Sequence, residues 1–297
     1  MKKLIFALLL LMFAKTVYAD IYYWDVLIFM RNTEFISREN KTGFTPLRLA
    51  LFQDLSLPYH VKTVGGIDLG IISTKVENVY GLQLGLMSTA GGLIGLQTGV
   101  YAVSDDMSGI QLGLIAYSFS QVSGLQLSMM WSGVEGQGFS GLQAGGLYSS
   151  SEGTSYGLQL GGVTAYSRDT VMGVQIAGIE GCGAVKGLSI APVKIMGTSH
   201  STGLDNSGLS ISVFNYGVRS EDRGKYGFDG LMISGANISN ADIMGAQLGL
   251  FNSASLVKGV QIGVVNYATK LSGVQIGVIN IAKNAAVLVL PVINFSF

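Results

Sequence analysis

The chain has 297 residues, with 18 basic side chains against 18 acidic ones, a charged fraction of 12% and 42 glycines. Balanced charge provides no field that would recruit nucleic acid, and so low a charged fraction is unusual for the surface of a soluble protein. A single cysteine with two histidines excludes a disulfide framework and makes a poor set of metal ligands.

The first 19 residues have the pattern of a cleaved secretory signal peptide. Lys2 and Lys3 precede an apolar run over residues 4–13, and Ala19 ends a small-residue cleavage pattern. No cysteine follows to accept a lipid, and no later stretch has about 18 uninterrupted apolar residues. We therefore expect an exported protein without a membrane-spanning helix.

Residues 20–65 are predicted to form N-terminal strands and a loop. The apolar stretches 21–29 and 47–52 have the composition of strands, and the charged stretch 31–41 separates them. This region lacks the repeat that follows, so we expect it to be an atypical beginning of the same β structure.

Residues 66–297 are predicted to form one glycine-rich repeat domain. A five-residue phrase occurs fourteen times, and we count its first glycine as position 1 of each repeat. Positions 2 and 4 are nearly always aliphatic, which at period two predicts a β-strand with one apolar face and one small, amide-bearing face. The phrases begin at Gly66, Gly81, Gly95, Gly109, Gly124, Gly141, Gly157, Gly173, Gly187, Gly208, Gly230, Gly245, Gly259 and Gly273. Position 3 is glutamine in ten repeats: Gln83, Gln97, Gln111, Gln126, Gln143, Gln159, Gln175, Gln247, Gln261 and Gln275.

Polar breaks separate the phrases, and two of the intervals are long. Short breaks such as residues 104–106 and 118–120 are predicted to be turns. Inserts near residues 194–207 and 218–229 are predicted to be exposed loops, the second with the densest charge cluster of the repeats. From Gly245 onward the period is 14, and asparagines recur in register at Asn252, Asn266, Asn280 and Asn294.

Our main interpretation of the fold is all-β, an antiparallel outer-membrane β-barrel of roughly 16 short strands. A ten-residue strand spans about 33 Å, and tilting leaves a height near 25 Å, as such barrels need. The chain ends on Phe297, as the sorting signal of such barrels does, although Pro291 fits poorly in a terminal strand. Aromatic residues six to nine positions after the glycines suggest interfacial girdles: Tyr101, Tyr117, Trp131, Tyr148, Tyr166, Tyr216 and Tyr267.

The alternative is a β-solenoid or β-roll of stacked coils of about 14 residues, with aliphatic residues inside and asparagines along a corner. The asparagine register and the uniform spacing favour stacking, because barrels of this kind alternate short and long connections. Coil lengths from 14 to 22 residues and the exposure of apolar surface argue against it.

The repeats resemble a bacterial family, the leptospiral-type surface-repeat proteins of the cell envelope. The resemblance lies in the consecutive phrases from Gly259 and Gly273, in the ending Asn294-Phe295-Ser296-Phe297, and in the upstream segment 46–52. It covers the chain from about residue 45 to its end. The resemblance implies a location in the cell envelope or on the surface of a Gram-negative bacterium, and it implies no catalytic or ligand residue.

No catalytic, cofactor-binding or metal site is predicted, and we expect no cofactor. His60 and His200 have no recurring carboxylate or serine beside them, and Cys182 lies between glycines without a basic neighbour. The acidic pairs at 105–106 and 221–222 lack calcium-loop spacing. For the glutamines we weigh a pore lining or a side-chain amide ladder against a neutral filler of the less apolar face.

The sequence therefore predicts a non-enzymatic outer-membrane or surface protein with a structural, surface-display or modest pore role. The alternative is a secreted or surface β-solenoid that serves as an adhesion or binding module, and an enzyme with its site in the inserts is a third hypothesis. The expected partners are outer-membrane lipid and the barrel-assembly machinery, with no nucleic acid, while any small-molecule or host ligand is left open.

Overall fold

The computed structural model describes residues 43–52, 55–57, 61–196, 206–217, 227–240 and 242–296. These residues form one 14-stranded sheet. The strands are β1 (Phe44–Phe52), β2 (Leu55–Leu57), β3 (Thr63–Gly70), β4 (Ser73–Leu84), β5 (Met87–Val134), β6 (Gly138–Gly145), β7 (Tyr148–Ser151), β8 (Ser155–Met196), β9 (Asn206–Gly217), β10 (Gly227–Ile233), β11 (Ala236–Ser239), β12 (Asp242–Leu248), β13 (Phe251–Ala282) and β14 (Val289–Ser296).

Successive repeats pair in parallel and in register, so the fold is a β-solenoid of about 12 turns. Gly230 pairs with Gly245, and Gly245 in turn pairs with Gly259. The predicted antiparallel barrel is wrong, because a meander would reverse the chain between neighbouring repeats. The stacked-coil alternative is the architecture that the structure has.

A column of glycines fixes the register of the coils. From Gly81 to Gly273 every position 1 glycine has a φ between 108° and 153°, a region that only glycine visits readily. A Cβ added at Gly259 would lie 2.0 Å from the carbonyl oxygen of Gly245, and the same obstruction recurs at each glycine of the column. Glycine is needed here for both its backbone conformation and the close approach of the neighbouring coil.

Each coil consists of two short walls that face each other across a thin interior. Positions 6 and 7 both point outward, which marks a corner, and residues such as Thr269 and Lys270 mark a second corner later in the coil. Glutamine at position 3 is buried, whereas the aliphatic side chains at positions 2 and 4 face outward. The expected placement of these aliphatic residues inside a solenoid is therefore wrong.

The apolar part of the interior comes from other positions of the repeat. Buried apolar side chains two residues before most of the position 1 glycines, such as Val79, Leu93 and Val257, stack along the solenoid with small residues such as Ala90 and Ala254. One cluster of this kind occupies the N-terminal coils and another the C-terminal coils. The core is narrow, so each coil is stabilised mainly by its neighbours.

An antiparallel strand closes each end of the described parallel stack. Strand β2 pairs antiparallel with β1, and β14 pairs antiparallel with the last coil of β13. The β13–β14 register shifts between Gly277 and Asn280. Opposite that irregularity lie Pro291, which is exposed, and Val292, whose φ is 66°. Proline and a β-branched residue with positive φ both fit a bulged edge better than a regular central strand.

Several predictions concern residues that the structure places differently or does not describe. Residues 104–106 and 118–120, predicted to be turns, lie within the 48-residue β5, which runs through several coils, and the exposed Asp105 and Asp106 form a corner inside it. The strand predicted over 21–29 lies outside the described residues, as do 197–205 and 218–226, which are most of the two predicted inserts. The segment predicted as a strand over 47–52 belongs to β1, which begins earlier, at Phe44.

Candidate binding surface

A ladder of glutamine side chains braces the interior. Gln97, Gln111 and Gln175 each donate from Nε2 to the glutamine Oε1 of the preceding coil at 2.7 Å. The other Nε2-to-Oε1 hydrogen bonds between glutamines of adjacent coils, within the series 83–159 and the series 247–275, are 2.7 to 3.1 Å long. A primary amide can both donate and accept, so identical side chains in register satisfy one another. The glutamines therefore form the amide ladder, and they fill the interior of the described coils instead of lining a pore.

The same amides also cross the interior to the opposite wall. Nε2 of Gln97 donates to the carbonyl oxygen of Val103 at 2.9 Å and to that of Ser88 at 3.1 Å. Equivalent bonds join Gln261 to Tyr267 and Gln275 to Ile281. One glutamine side chain thus spans the interior between the walls, and the coil is held rigid by satisfied polar groups.

A second ladder, of asparagines, occupies position 8 in the C-terminal coils. Nδ2 of Asn215 donates to Asn237 Oδ1 at 2.8 Å, and the pattern continues through Asn252 and Asn266 to Asn280. Each asparagine donates toward the following coil, whereas each glutamine donates toward the preceding one. The dipoles of the two ladders are therefore opposed. Asn294 of β14 donates to Gln275 Oε1 at 3.4 Å and so closes the glutamine ladder.

Buried ion pairs stand where these ladders begin or stop. At the N-terminal end Arg48 Nη1 lies 3.4 Å from Asp68 Oδ1, and Asp68 accepts from Thr74 and Gln83. Midway, Lys194 Nζ lies 3.1 Å from Glu180 Oε1, with both side chains at most 1% exposed. Ser189, which replaces glutamine at position 3, accepts from Lys194 and donates to Glu180.

The aromatic residues predicted to form interfacial girdles include a set whose rings contact one another edge-on or tilted, Tyr117, Trp131 and Tyr148. Trp131 lies 5.3 Å from Tyr117 and 6.3 Å from Tyr148, measured between ring centroids. Burial, and next the adjacent Glu135 carboxylate, raises the pKa of Tyr117 well above its ordinary range. A hydrogen bond with Lys283 is the main reason that the pKa of half-buried Tyr267 is lowered.

The largest uninterrupted feature of the exterior is apolar. We define the apolar wall as the side chains at positions 2, 4, 6 and 7 of the fourteen repeats, from Ile67 to Ile279. None of these residues is buried and none is charged. The most exposed of them are Met129 at 75%, Ile71 at 69%, Val213 at 67% and Val278 at 65%. Thr98 and Tyr101 are the only members with a hydroxyl group.

Charged side chains of the exterior lie outside the apolar wall, some on its margin, such as Lys186, Asp229 and Lys258, and others on the far side of the coil. Glu77, Asp105, Asp106 and Lys270 lie at the second corner of their coils, and we call this edge the charged corner. The exterior is thus divided between an apolar side and a polar side, as in an amphipathic helix. Among soluble proteins, apolar surfaces of this extent are typical of interaction sites.

The residues singled out from the sequence do not converge on a chemical site. Asp105 and Asp106 are exposed in β5, and Cys182 lies in β8. His60, His200, Glu221 and Asp222 lie outside the described residues. Within the described ranges no three His, Cys, Asp or Glu side chains are grouped so that they could hold a metal ion, and no helix there is long and apolar enough to cross a membrane.

Sequence reasoning missed the apolar wall, although the sequence contains a signal for it. Positions 6 and 7 are as free of charge as positions 2 and 4, which two-residue alternation alone does not require. No family model, curated protein or solved structure matches the chain. The resemblance to the surface-repeat proteins thus stays a prediction.

Proposed function

We propose that the chain is a non-enzymatic β-solenoid binding module of the cell envelope, exported by its N-terminal segment, whose working surface is the apolar wall. The observation that carries this proposal is the wall itself, which is continuous through all fourteen repeats and free of charge. Exposed apolar patches on monomeric proteins are normally a few hundred Å². This wall is about 65 Å long and about 17 Å wide if coils are spaced by about 4.8 Å and residues by about 3.3 Å.

The interior supports the same role because it makes the wall rigid. The position 3 and position 8 amides of the described ladders bond both to each other and to the backbone, for example from Gln97 to Gln83 and to Val103. A rigid surface loses little conformational entropy on binding. Location at the surface of a Gram-negative bacterium rests on the signal-peptide pattern and on the family resemblance. The barrel-assembly machinery is not among the proposed partners, because that expectation depends on a barrel fold.

The test is whether the wall makes the protein bind apolar material. The full chain and the variant Leu250→Asp/Val264→Asp, which puts two charges at position 6 of adjacent coils, would be compared on a phenyl matrix and with a naphthalene sulfonate dye. The matched control is Asn240→Asp/Thr269→Asp, which adds the same charge at the charged corner, where both residues are exposed. All variants keep residues 4–13, so any binding by that apolar segment is common to them.

We expect the wall variant to lose most retention and dye binding, and the control to behave like the unmodified chain. Equal retention by all three proteins, with unchanged β-sheet circular dichroism, would contradict the proposal.

A further inference from the structure

We infer that the apolar wall lies on the acyl region of a lipid bilayer, so that the solenoid is a monotopic membrane-surface protein. This rests on the proposed function and specifies the partner. The wall lacks any charged side chain in the fourteen repeats. Protein interfaces, in contrast, have a polar rim and about one hydrogen bond per 100–200 Å². A surface of about 1,100 Å², by the spacing used above, with hydroxyl groups only on Thr98 and Tyr101, offers a protein partner few side-chain hydrogen bonds.

The margins of the wall have the residues that anchor proteins at a bilayer surface. Along the margin beside position 2, Tyr80 and Tyr156 are 49% and 52% exposed, and Lys186 and Lys258 are exposed in other coils. Along the margin beside position 7 lie Tyr216 and Tyr267. Tyrosine and tryptophan favour the headgroup level, and lysine extends its ammonium group into water while its stem stays apolar.

The shape of the wall favours lipid over a second copy of the chain. Positions 2 and 4 lie on one side of the corner and position 7 on the other, with position 6 at the corner itself, so the wall is convex. A rigid, flat partner would cover one side of this corner at a time. Fluid acyl chains adapt to both sides, so a bilayer can cover the whole wall.

Between the two ends of the described stack, the backbone of the coils can enter an apolar medium with most of its polar groups paired. Neighbouring coils pair in parallel, as β10 does with β12 and β12 with β13, whereas the end strands β2 and β14 each pair on one side only. Unpaired N–H and C=O groups would each cost several kcal/mol in hydrocarbon. The middle coils of the wall therefore suit insertion to about 5–10 Å, the usual depth of interfacial proteins, and the two ends suit it less.

The experiment is flotation of the full chain with vesicles of phosphatidylcholine alone, and with vesicles that also contain phosphatidylglycerol. We expect flotation with both and little dependence on salt, because the inserted side chains are uncharged and only a few charged residues lie at the margin. Leu250→Asp/Val264→Asp should lower the partition coefficient at least about tenfold, since each side chain loses its burial in lipid. Asn240→Asp/Thr269→Asp should float like the unmodified chain.

Three results would overturn the inference. Loss of matrix retention by the wall variant without any flotation of the unmodified chain would leave the wall as a binding surface and remove lipid as its partner. A dimer in sedimentation that the wall variant dissociates, again without flotation, would assign the wall to a second copy. Equal flotation of all variants would assign lipid binding to another part of the chain.

Discussion

Lys194 Nζ lies 3.1 Å from Glu180 Oε1 in the interior, between the end of one glutamine ladder and the start of the asparagine ladder. Lys194 pairs in register with Asn215, the first member of the asparagine ladder. The ion pair thus lies where the interior changes from one amide ladder to the other, whereas the buried pair of Arg48 and Asp68 lies at the N-terminal end of the glutamine ladder.

Lys194→Ala should destabilise the fold by about 3–5 kcal/mol, because it leaves the Glu180 carboxylate buried without its cation. Glu180→Asn/Lys194→Asn should recover most of this loss, since asparagine at position 8 is the residue that the following coils use. Urea unfolding measures both. A double variant no more stable than Lys194→Ala would show that the pair has another role than bridging the ladders.

Gly259→Ala should destabilise by at least about 3 kcal/mol, because the added Cβ would lie 2.0 Å from the Gly245 carbonyl oxygen at a φ of 140°. Gly181→Ala is the matched control. There the nearest atom to an added Cβ is in the Tyr166 ring at 3.4 Å, and the φ is not in the left-handed region. Thermal unfolding of the two variants should differ clearly, and similar melting temperatures would be incompatible with a register set by the position 1 glycines.

Gln261→Leu should cost about 1–3 kcal/mol although leucine is more apolar, because it leaves Gln247 Oε1 and Gln275 Nε2 without their ladder partner. Denaturant unfolding tests this. If Gln261→Leu instead stabilised the protein, this part of the interior would be effectively apolar, and the ladder hydrogen bonds would contribute little to the free energy of unfolding.

The sequence was enough to predict the repeat period, the β-strand character and the importance of the position 1 glycines. It was not enough to predict which face of each strand points into the interior. Alternation of Val260, Gln261 and Ile262 defines two faces without stating which is inside. The usual expectation places aliphatic residues inside. It fails here because amides in register at a spacing of about 4.8 Å bond to one another, so their burial is not penalised. The recurrence of glutamine and asparagine at fixed positions is the signal for such ladders.

The prediction of a closed barrel is wrong for a related reason. Exposed apolar surface argues against a solenoid in water, and a barrel in lipid accommodates that surface easily. The solenoid keeps the same surface on one side, as the positions of Ile262 and Val278 show. The sequence also does not show whether neighbouring repeats run parallel or antiparallel, because a period of 14 residues fits either one solenoid coil or one barrel strand with its turn.

The alkaline stability of the protein should depend on Tyr117. The pKa of this phenol is raised in the folded state, mainly by burial, whereas the unfolded chain loses the proton near pH 10. The folded state then binds more protons above pH 10, so stability falls as pH rises through that range, by up to about 1.4 kcal/mol per pH unit. Tyr117→Phe should flatten this decline in urea unfolding between pH 9 and 11. An unchanged slope would contradict the burial of the phenol.

Removal of residues 288–297 should cause end-to-end association. Strand β14 covers the last coil from Gly273 to Ile281, and its loss exposes a parallel edge with Gln275 and Asn280 in ladder register. Unpaired edges of this kind recruit further strands. Sedimentation velocity should show species larger than those of the full chain, and an unchanged sedimentation profile would mean that β14 does not act as a cap.

The most direct test of the parallel, in-register solenoid is a disulfide cross-link between equivalent exposed positions, in a Cys182→Ser background. Ile262→Cys and Ile276→Cys occupy position 4 of adjacent repeats, so their Cα atoms should be about 4.8 Å apart, within disulfide range. The account predicts rapid cross-linking of this pair under mild oxidation, and none for Ile262→Cys with Ile279→Cys. Cross-linking of the second pair instead of the first, as an antiparallel hairpin centred near residue 270 requires, would contradict it.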